Sequence, residues 1–82
     1  MGNEVIVNLN DITKIKRFSQ VCSTFESDID IASLSDPKYI IDAKSVMGVY
    51  GLDLSKKAVV KLISDNEVEL MNFHQAMREF VA

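Results

Sequence analysis

The stretch Asp42-Ala43-Lys44-Ser45-Val46-Met47-Gly48-Val49-Tyr50-Gly51, in the middle of the chain, carries more information on the fold than any other. Its apolar run is too short for a long helix. Serine is a favoured N-cap because its side chain accepts hydrogen bonds from the first free backbone N–H groups, and glycine is common where helices end. The stretch therefore predicts a short helix from Val46 to Tyr50, capped by Ser45 and closed by Gly51.

Two runs typical of β-strands precede this helix. Asp28-Ile29-Asp30-Ile31 alternates polar and apolar residues, as a strand with one buried face does, and Tyr39-Ile40-Ile41-Asp42 is rich in β-branched residues. Residues 33–38 between them contain Asp36-Pro37, a turn signal. We expect the two runs to pair as an antiparallel hairpin, with a rather long loop from Ser33 to Lys38.

The N-terminal part of the chain predicts a strand and then a helix. Glu4 to Asn8 is short and β-branched. Asp11, or Asn10 before it, can cap the helix and complement its dipole. The apolar positions that follow recur at steps of three and four, which is the spacing of one helix face, whereas most residues between them, Ser19 included, are polar. These apolar positions are Ile12, Ile15, Phe18, Val21, Cys22 and Phe25.

The C-terminal part predicts a last strand and a last helix. Ala58 to Ile63 reads as a strand, and Ser64-Asp65-Asn66-Glu67 matches the capping box that opens a helix. That helix runs from Asp65 to Phe80. Its apolar stripe is formed by Leu70, Phe73, Met77 and Phe80. The order β-α-β-β-α-β-α favours a two-layer α+β sandwich, in which one sheet is covered on one face by helices.

Composition narrows the class of protein. With 82 residues, 48% of them hydrophobic, we expect one domain over residues 1–82. The net charge of -3 argues against nucleic-acid binding. The single cysteine and the lack of a leader pattern indicate a cytoplasmic protein, and apolar runs such as Val5-Ile6-Val7 are too short to cross a membrane. One histidine and one cysteine make no metal site, and we expect no cofactor.

The run from Asp42 to Val49 resembles the segment of HPr that contains its regulatory serine and the short helix after it. HPr is the small phosphocarrier of the bacterial sugar phosphotransferase system. Phe25 to Ile29, Leu52 and the order of elements support the resemblance. It implies an open-faced β-sandwich with a four-stranded antiparallel sheet in the order 1-4-2-3 and three helices on one face.

The chain departs from the family at the phosphoacceptor. HPr-like carriers take phosphate from enzyme I onto a histidine at the start of helix one. Here, that position falls on Asp11, and the family's arginine and proline positions fall on Thr13 and Lys14. The hairpin loop is also about three residues longer than is usual in the family. We therefore expect a binding or regulatory module that is not an enzyme and does not transfer phosphate. One alternative is a phosphocarrier with an atypical acceptor, either Asp11 or the only histidine, His74. Another is a degenerate paralogue that has no current partner.

Ser45 is the leading candidate for regulation. The resemblance places it on the serine that a dedicated kinase phosphorylates in HPr proteins of many Gram-positive bacteria. A phosphate there would lie at a helix N-terminus, where free N–H groups favour negative charge. The simpler interpretation, that Ser45 is only an N-cap, is compatible with this role.

The short helix also predicts a docking surface. In HPr this helix contacts enzyme I, transporter subunits and regulators, so the resemblance implies partners of that kind, the serine kinase among them. Because some of its apolar residues must face the sheet, we expect an exposed patch that Met47 dominates, with a basic rim from helix one. We expect a monomer. The predicted interface consists of Met47, Gly48, Tyr50, Lys14 and Arg17.

Overall fold

The computed structural model describes residues 2–53 and 55–81. The elements follow the predicted order β-α-β-β-α-β-α. They are β1 Glu4–Val7, α1 Ile12–Cys22, β2 Ile29–Ser33, β3 Asp36–Asp42, α2 Val46–Tyr50, β4 Ala58–Leu62 and α3 Glu67–Met77. The strands form one four-stranded sheet in the order β1-β4-β2-β3, with every neighbouring pair antiparallel. The strand order and the α+β class that the resemblance implied are thus confirmed.

The core lies between one face of the sheet and the helices. Along β4, Ala58, Val60 and Leu62 are buried, while Lys61 between them is exposed. This alternation follows from the two-residue period of a strand and leaves the other face of the sheet open. The core cluster comprises Val7, Leu9, Ile15, Phe18, Cys22, Ile29, Ile31, Ala43, Val49, Leu52, Ala58, Val60, Leu62, Leu70, Phe73, Met77 and Phe80.

The β2–β3 hairpin differs from the prediction. The expected long loop is a two-residue turn at Leu34 and Ser35, since β3 already begins at Asp36. The register shifts between the pairs Ile31↔Ile41 and Ser33↔Asp36, so residues 37–40 of β3 face only residue 32 of β2. The additional residues therefore form an irregularity within an edge strand. Such a place tolerates a proline, which cannot donate a backbone hydrogen bond to a sheet.

Helix α1 begins as predicted but ends earlier. The Asp11 side chain accepts a hydrogen bond from the backbone N–H of Lys14, and the helix ends at Cys22. Phe25 was predicted on the helical stripe. It instead follows the helix and packs edge-to-face on Phe73 with 6.2 Å between ring centroids. Ile12, also assigned to the buried stripe, is exposed because the first turn extends beyond the edge of the core.

Helix α3 is shorter than predicted at both ends. Its N-cap is Asn66, whose side chain accepts from the backbone N–H of Glu69 at 2.9 Å, rather than Ser64. Ser64 lies two residues before the N-cap and accepts from the backbone N–H of Asn66. The helix ends at Met77, yet Phe80 beyond it is buried and packs edge-to-face on Phe18. Phe80 is therefore buried although it lies beyond the end of the helix.

A carboxylate on α3 fixes the connection between α1 and β2. Glu69 accepts hydrogen bonds from the hydroxyl of Ser27 at 2.5 Å and from its backbone N–H at 3.2 Å. These bonds, together with one from Ser64, favour the charged carboxylate and hold the pKa of Glu69 below its ordinary value. The contact joins residues that are 42 positions apart in the sequence.

The cap assignment at α3 can be tested by two alanine variants. We expect Asn66→Ala to lower the free energy of unfolding by about 1 kcal/mol, because it removes the acceptor for a free N–H group of the first turn. Ser64→Ala should have a smaller effect. Urea denaturation followed by circular dichroism measures both changes. An equal or larger loss for Ser64→Ala would contradict the assignment.

Candidate functional site

The sequence around Ser45 forms the short helix that was predicted from it. The Ser45 hydroxyl accepts a hydrogen bond from the backbone N–H of Gly48 at 3.1 Å, which makes it the N-cap of α2. The helix ends at Tyr50, and Gly51 follows in a right-handed conformation. The N-cap assignment is confirmed. The Ser45 side chain is half-buried.

The exposed face of α2 is defined by Met47 and Tyr50, and we call it the α2 patch. Met47 is 81% exposed and Tyr50 is 44% exposed, whereas Val49 is fully buried in the core. This division confirms the expectation that part of the helix faces the sheet while Met47 projects outward. A flexible, polarisable methionine on the surface suits an adaptable protein contact.

Gly48, predicted as part of the interface, has a packing role. A Cβ atom at this position would lie 2.7 Å from Cγ2 of Ile41 and 3.2 Å from the Ser45 hydroxyl oxygen. The absence of a side chain therefore lets α2 lie directly against the end of β3. This contact sets the rotation of the helix, which determines that Val49 turns inward and Met47 outward.

Two side chains anchor the segment that leads into α2. The Ser19 hydroxyl, buried on α1, donates to the carbonyl of Ala43 at 3.1 Å. The Lys44 ammonium donates to the carbonyl of Phe25 at 2.7 Å. Sequence reasoning missed both, and it assigned Ser19 to the polar face of α1. Their acceptors are backbone carbonyls distant in sequence, and nothing in the residue pattern signals such partners.

At the start of α1, Asp11 serves as the N-cap. Its carboxylate oxygen accepts from the backbone N–H of Lys14 at 2.8 Å. The side chain is exposed. A carboxylate here satisfies a free N–H group and complements the positive end of the helix dipole. The capping role expected for Asp11 is confirmed.

The predicted basic rim is reduced by an ion pair. The guanidinium of Arg17 lies 3.2 Å from the carboxylate of Glu79, which follows α3. Both side chains are largely exposed, so the pair contributes little to stability, but it neutralises the charge of Arg17. Lys14 is half-buried, and its backbone N–H is bound to Asp11.

His74 and Cys22 lie apart from this surface. The His74 ring is half-buried on α3, and its Nε2 hydrogen-bonds to the carbonyl oxygen of Gly2. Cys22 is buried in the core, and burial raises the pKa of its thiol to about 12, so the reactive thiolate is suppressed. Within residues 2–53 and 55–81, no three potential metal ligands cluster.

The architecture defines a class: an open-faced α+β sandwich with strand order 1-4-2-3. The family described as "PTS HPr component phosphorylation site" matches residues 12–82, and the chain belongs to this phosphocarrier family of the phosphotransferase system. The match begins one residue after Asp11.

A solved structure with the same fold is the histidine-containing phosphocarrier protein of Mycoplasma. The likeness has a TM-score of 0.64 and 15% sequence identity, and it covers 93% of this chain and 92% of the other. At this identity it demonstrates the fold alone. No curated protein sequence matches the chain. In the part of the chain that the structure describes, no helix is long and apolar enough to span a membrane.

The close approach at Gly48 predicts opposite effects for two glycine variants. Gly48→Ala should lower the free energy of unfolding by about 1–3 kcal/mol, because its methyl group overlaps Ile41. Gly51→Ala should raise it by about 0.4–1 kcal/mol, because a Cβ there meets only the Gly48 carbonyl oxygen at 3.4 Å and the unfolded chain loses entropy. Thermal and urea unfolding measure both. An unchanged stability for Gly48→Ala would contradict the packing role.

Proposed function

We propose that this chain is a binding and regulatory module of the phosphotransferase system that docks through the α2 patch and does not carry phosphate on a histidine. The observation that supports docking most directly is the position of Met47, which is 81% exposed on a helix whose rotation is held by Gly48. Because the backbone of α2 already directs Met47 outward, its flexible apolar side chain can contact a partner without rearrangement of the helix.

The start of α1 supports the absence of histidine transfer. In the resemblance to HPr the acceptor histidine aligns with Asp11, and the only histidine of this sequence is His74. Asp11 is engaged in capping, and the Nε2 atom of His74 is bound to the Gly2 carbonyl. In the alternative carrier, phosphate would have to be accepted by the Asp11 carboxylate or by the His74 ring, both of which are engaged in these hydrogen bonds.

We propose binding partners for this chain on the basis of its family. Proteins of the phosphotransferase system that dock on HPr, namely enzyme I and transporter subunits, are the first partners to test, together with the serine kinase or a regulator. A module that binds them without accepting phosphate would compete with a true carrier for the same surface.

Ser45 provides the proposed means of regulation. A phosphoryl group on its hydroxyl adds close to two negative charges at pH 7 and lies two residues from Met47. An apolar contact that encloses Met47 would then also have to desolvate a dianion, which weakens binding. A partner with an arginine at that position would instead be favoured, because arginine pairs strongly with phosphate. Phosphorylation thus selects among partners without unfolding α2.

Docking is tested by a charge placed in the α2 patch. We expect Met47→Asp to weaken binding to enzyme I about tenfold or more, because the carboxylate would be buried in an apolar contact. Met71→Asp, at an exposed methionine on α3, is the matched control and should leave the affinity unchanged. Isothermal titration calorimetry gives both dissociation constants. Equal effects of the two variants, or none for Met47→Asp, would contradict docking through this patch.

Regulation is tested by incubation with ATP and the serine kinase that acts on HPr. We expect one added phosphate, found by intact-mass spectrometry, and none on Ser45→Asn. Asparagine retains an N-cap acceptor but cannot be phosphorylated, so the variant keeps α2 intact. Ser55→Ala, at an exposed serine, should be modified like the wild type. A wild-type chain that remains unmodified, or a modified Ser45→Asn, would overturn the assignment.

A further inference from the structure

On the open face of the sheet, opposite the helices, residues that pair across neighbouring strands form rows that run perpendicular to the strands. One row runs across the pairs Ile6↔Val59 and Val59↔Ala32, and it is entirely apolar. Ile6 is 44% exposed, and Leu34, at the turn, is 43% exposed. Together with Glu4 and Val5, the side chains of Ile6, Leu34 and Val59 line a depression of about 490 Å³. Ala32, at one end of the row, is only 4% exposed, so the accessible part of the row consists of Ile6 and the half-buried Val59.

Charge is distributed unevenly on the two sides of the apolar row. On one side the register aligns Glu4, Lys61 and Asp30, and Asp30 lies directly opposite Asp42. Three carboxylates and one ammonium make this side acidic, and like charges in a directly opposed pair repel each other. On the other side, Lys57 precedes the inward-facing Ala58, so the alternation of β4 directs Lys57 toward the open face. Its carbonyl oxygen accepts from the N–H of Leu34 at 2.9 Å.

We propose that the open face binds a second copy of this chain, with the two sheets face to face and their strands antiparallel. A two-fold axis along the apolar row brings Ile6 and Val59 of one copy against the same residues of the other. The same operation places the Lys57 side of each copy above the acidic side of its partner. The alternative axis, parallel to the strands, would superimpose the two acidic sides and is disfavoured by repulsion.

The proposed contact between the two copies is small, and we therefore expect it to be weak. The row offers few exposed apolar side chains, with Ile6 at 44% and Ala32 at 4% exposed, so we expect weak association with a Kd of roughly 10–1000 μM. The α2 patch lies on the helical layer and stays accessible in such a pair. Self-association is therefore independent of the proposed docking function, and either can fail without the other.

Sedimentation velocity over a concentration series up to about 1 mM tests the proposal. We expect a reversible monomer–dimer equilibrium that Ile6→Lys weakens at least about tenfold, since it places a charge on the axis. Met47→Asp is the control on the opposite layer and should leave the equilibrium unchanged.

A charge exchange tests the orientation. Lys57→Asp alone should weaken the dimer about threefold or more, and the addition of Asp30→Lys should restore it. Failure of the second substitution to restore binding would overturn the antiparallel arrangement. A chain that stays monomeric at 1 mM, or a dimer that Met47→Asp disrupts while Ile6→Lys does not, would overturn the proposal. So would a monomeric chain on which Ile6→Lys abolishes binding to enzyme I, because the face would then serve that partner.

Discussion

The close contact between Gly48 and Ile41 is the constraint on which the functional surface depends. A helix as short as α2 has little stability of its own, so its orientation must come from the layer beneath it. The missing side chain at Gly48 allows the helix backbone to approach Ile41 at the end of β3, and the Ser45 cap fixes its first turn. Val49 is thereby buried and Met47 exposed. Docking and regulation, as proposed, both rest on this arrangement.

The two N-caps use the same structural device at the starts of α1 and α2. Asp11 and Ser45 each accept a hydrogen bond from a backbone N–H three residues later. At Ser45 the capping hydroxyl is also the group that we propose to be phosphorylated. At Asp11 the cap is a carboxylate, at the position to which the resemblance to HPr assigns the acceptor histidine. In both places the cap satisfies a backbone N–H group of the first helical turn and so supports the fold.

Local patterns in the sequence were sufficient for the element order and for the cap at Ser45, and they left the cap of α1 open between Asn10 and Asp11. The exposure of Met47 was expected from the resemblance to HPr together with the need for some apolar residues of so short a helix to face the sheet. The order of the strands came from the resemblance to HPr, because pairing between distant strands leaves no local mark. The predictions that failed depended on tertiary context. The hairpin loop became part of β3, since the edge strand could accommodate an irregularity there. Similarly, Ser19 can be buried because the Ala43 carbonyl, in the connection between β3 and α2, accepts a hydrogen bond from its hydroxyl.

The central claim is that the chain binds proteins of the phosphotransferase system without carrying phosphate from phosphoenolpyruvate. Its most direct test is intact-mass spectrometry after incubation with phosphoenolpyruvate and enzyme I, with a histidine-bearing HPr in the same tube as an internal control. The account predicts that the control gains a phosphoryl group while this chain keeps its mass. A stoichiometric phosphoryl group on this chain that is lost in Asp11→Ala or His74→Ala would contradict it and establish an atypical carrier.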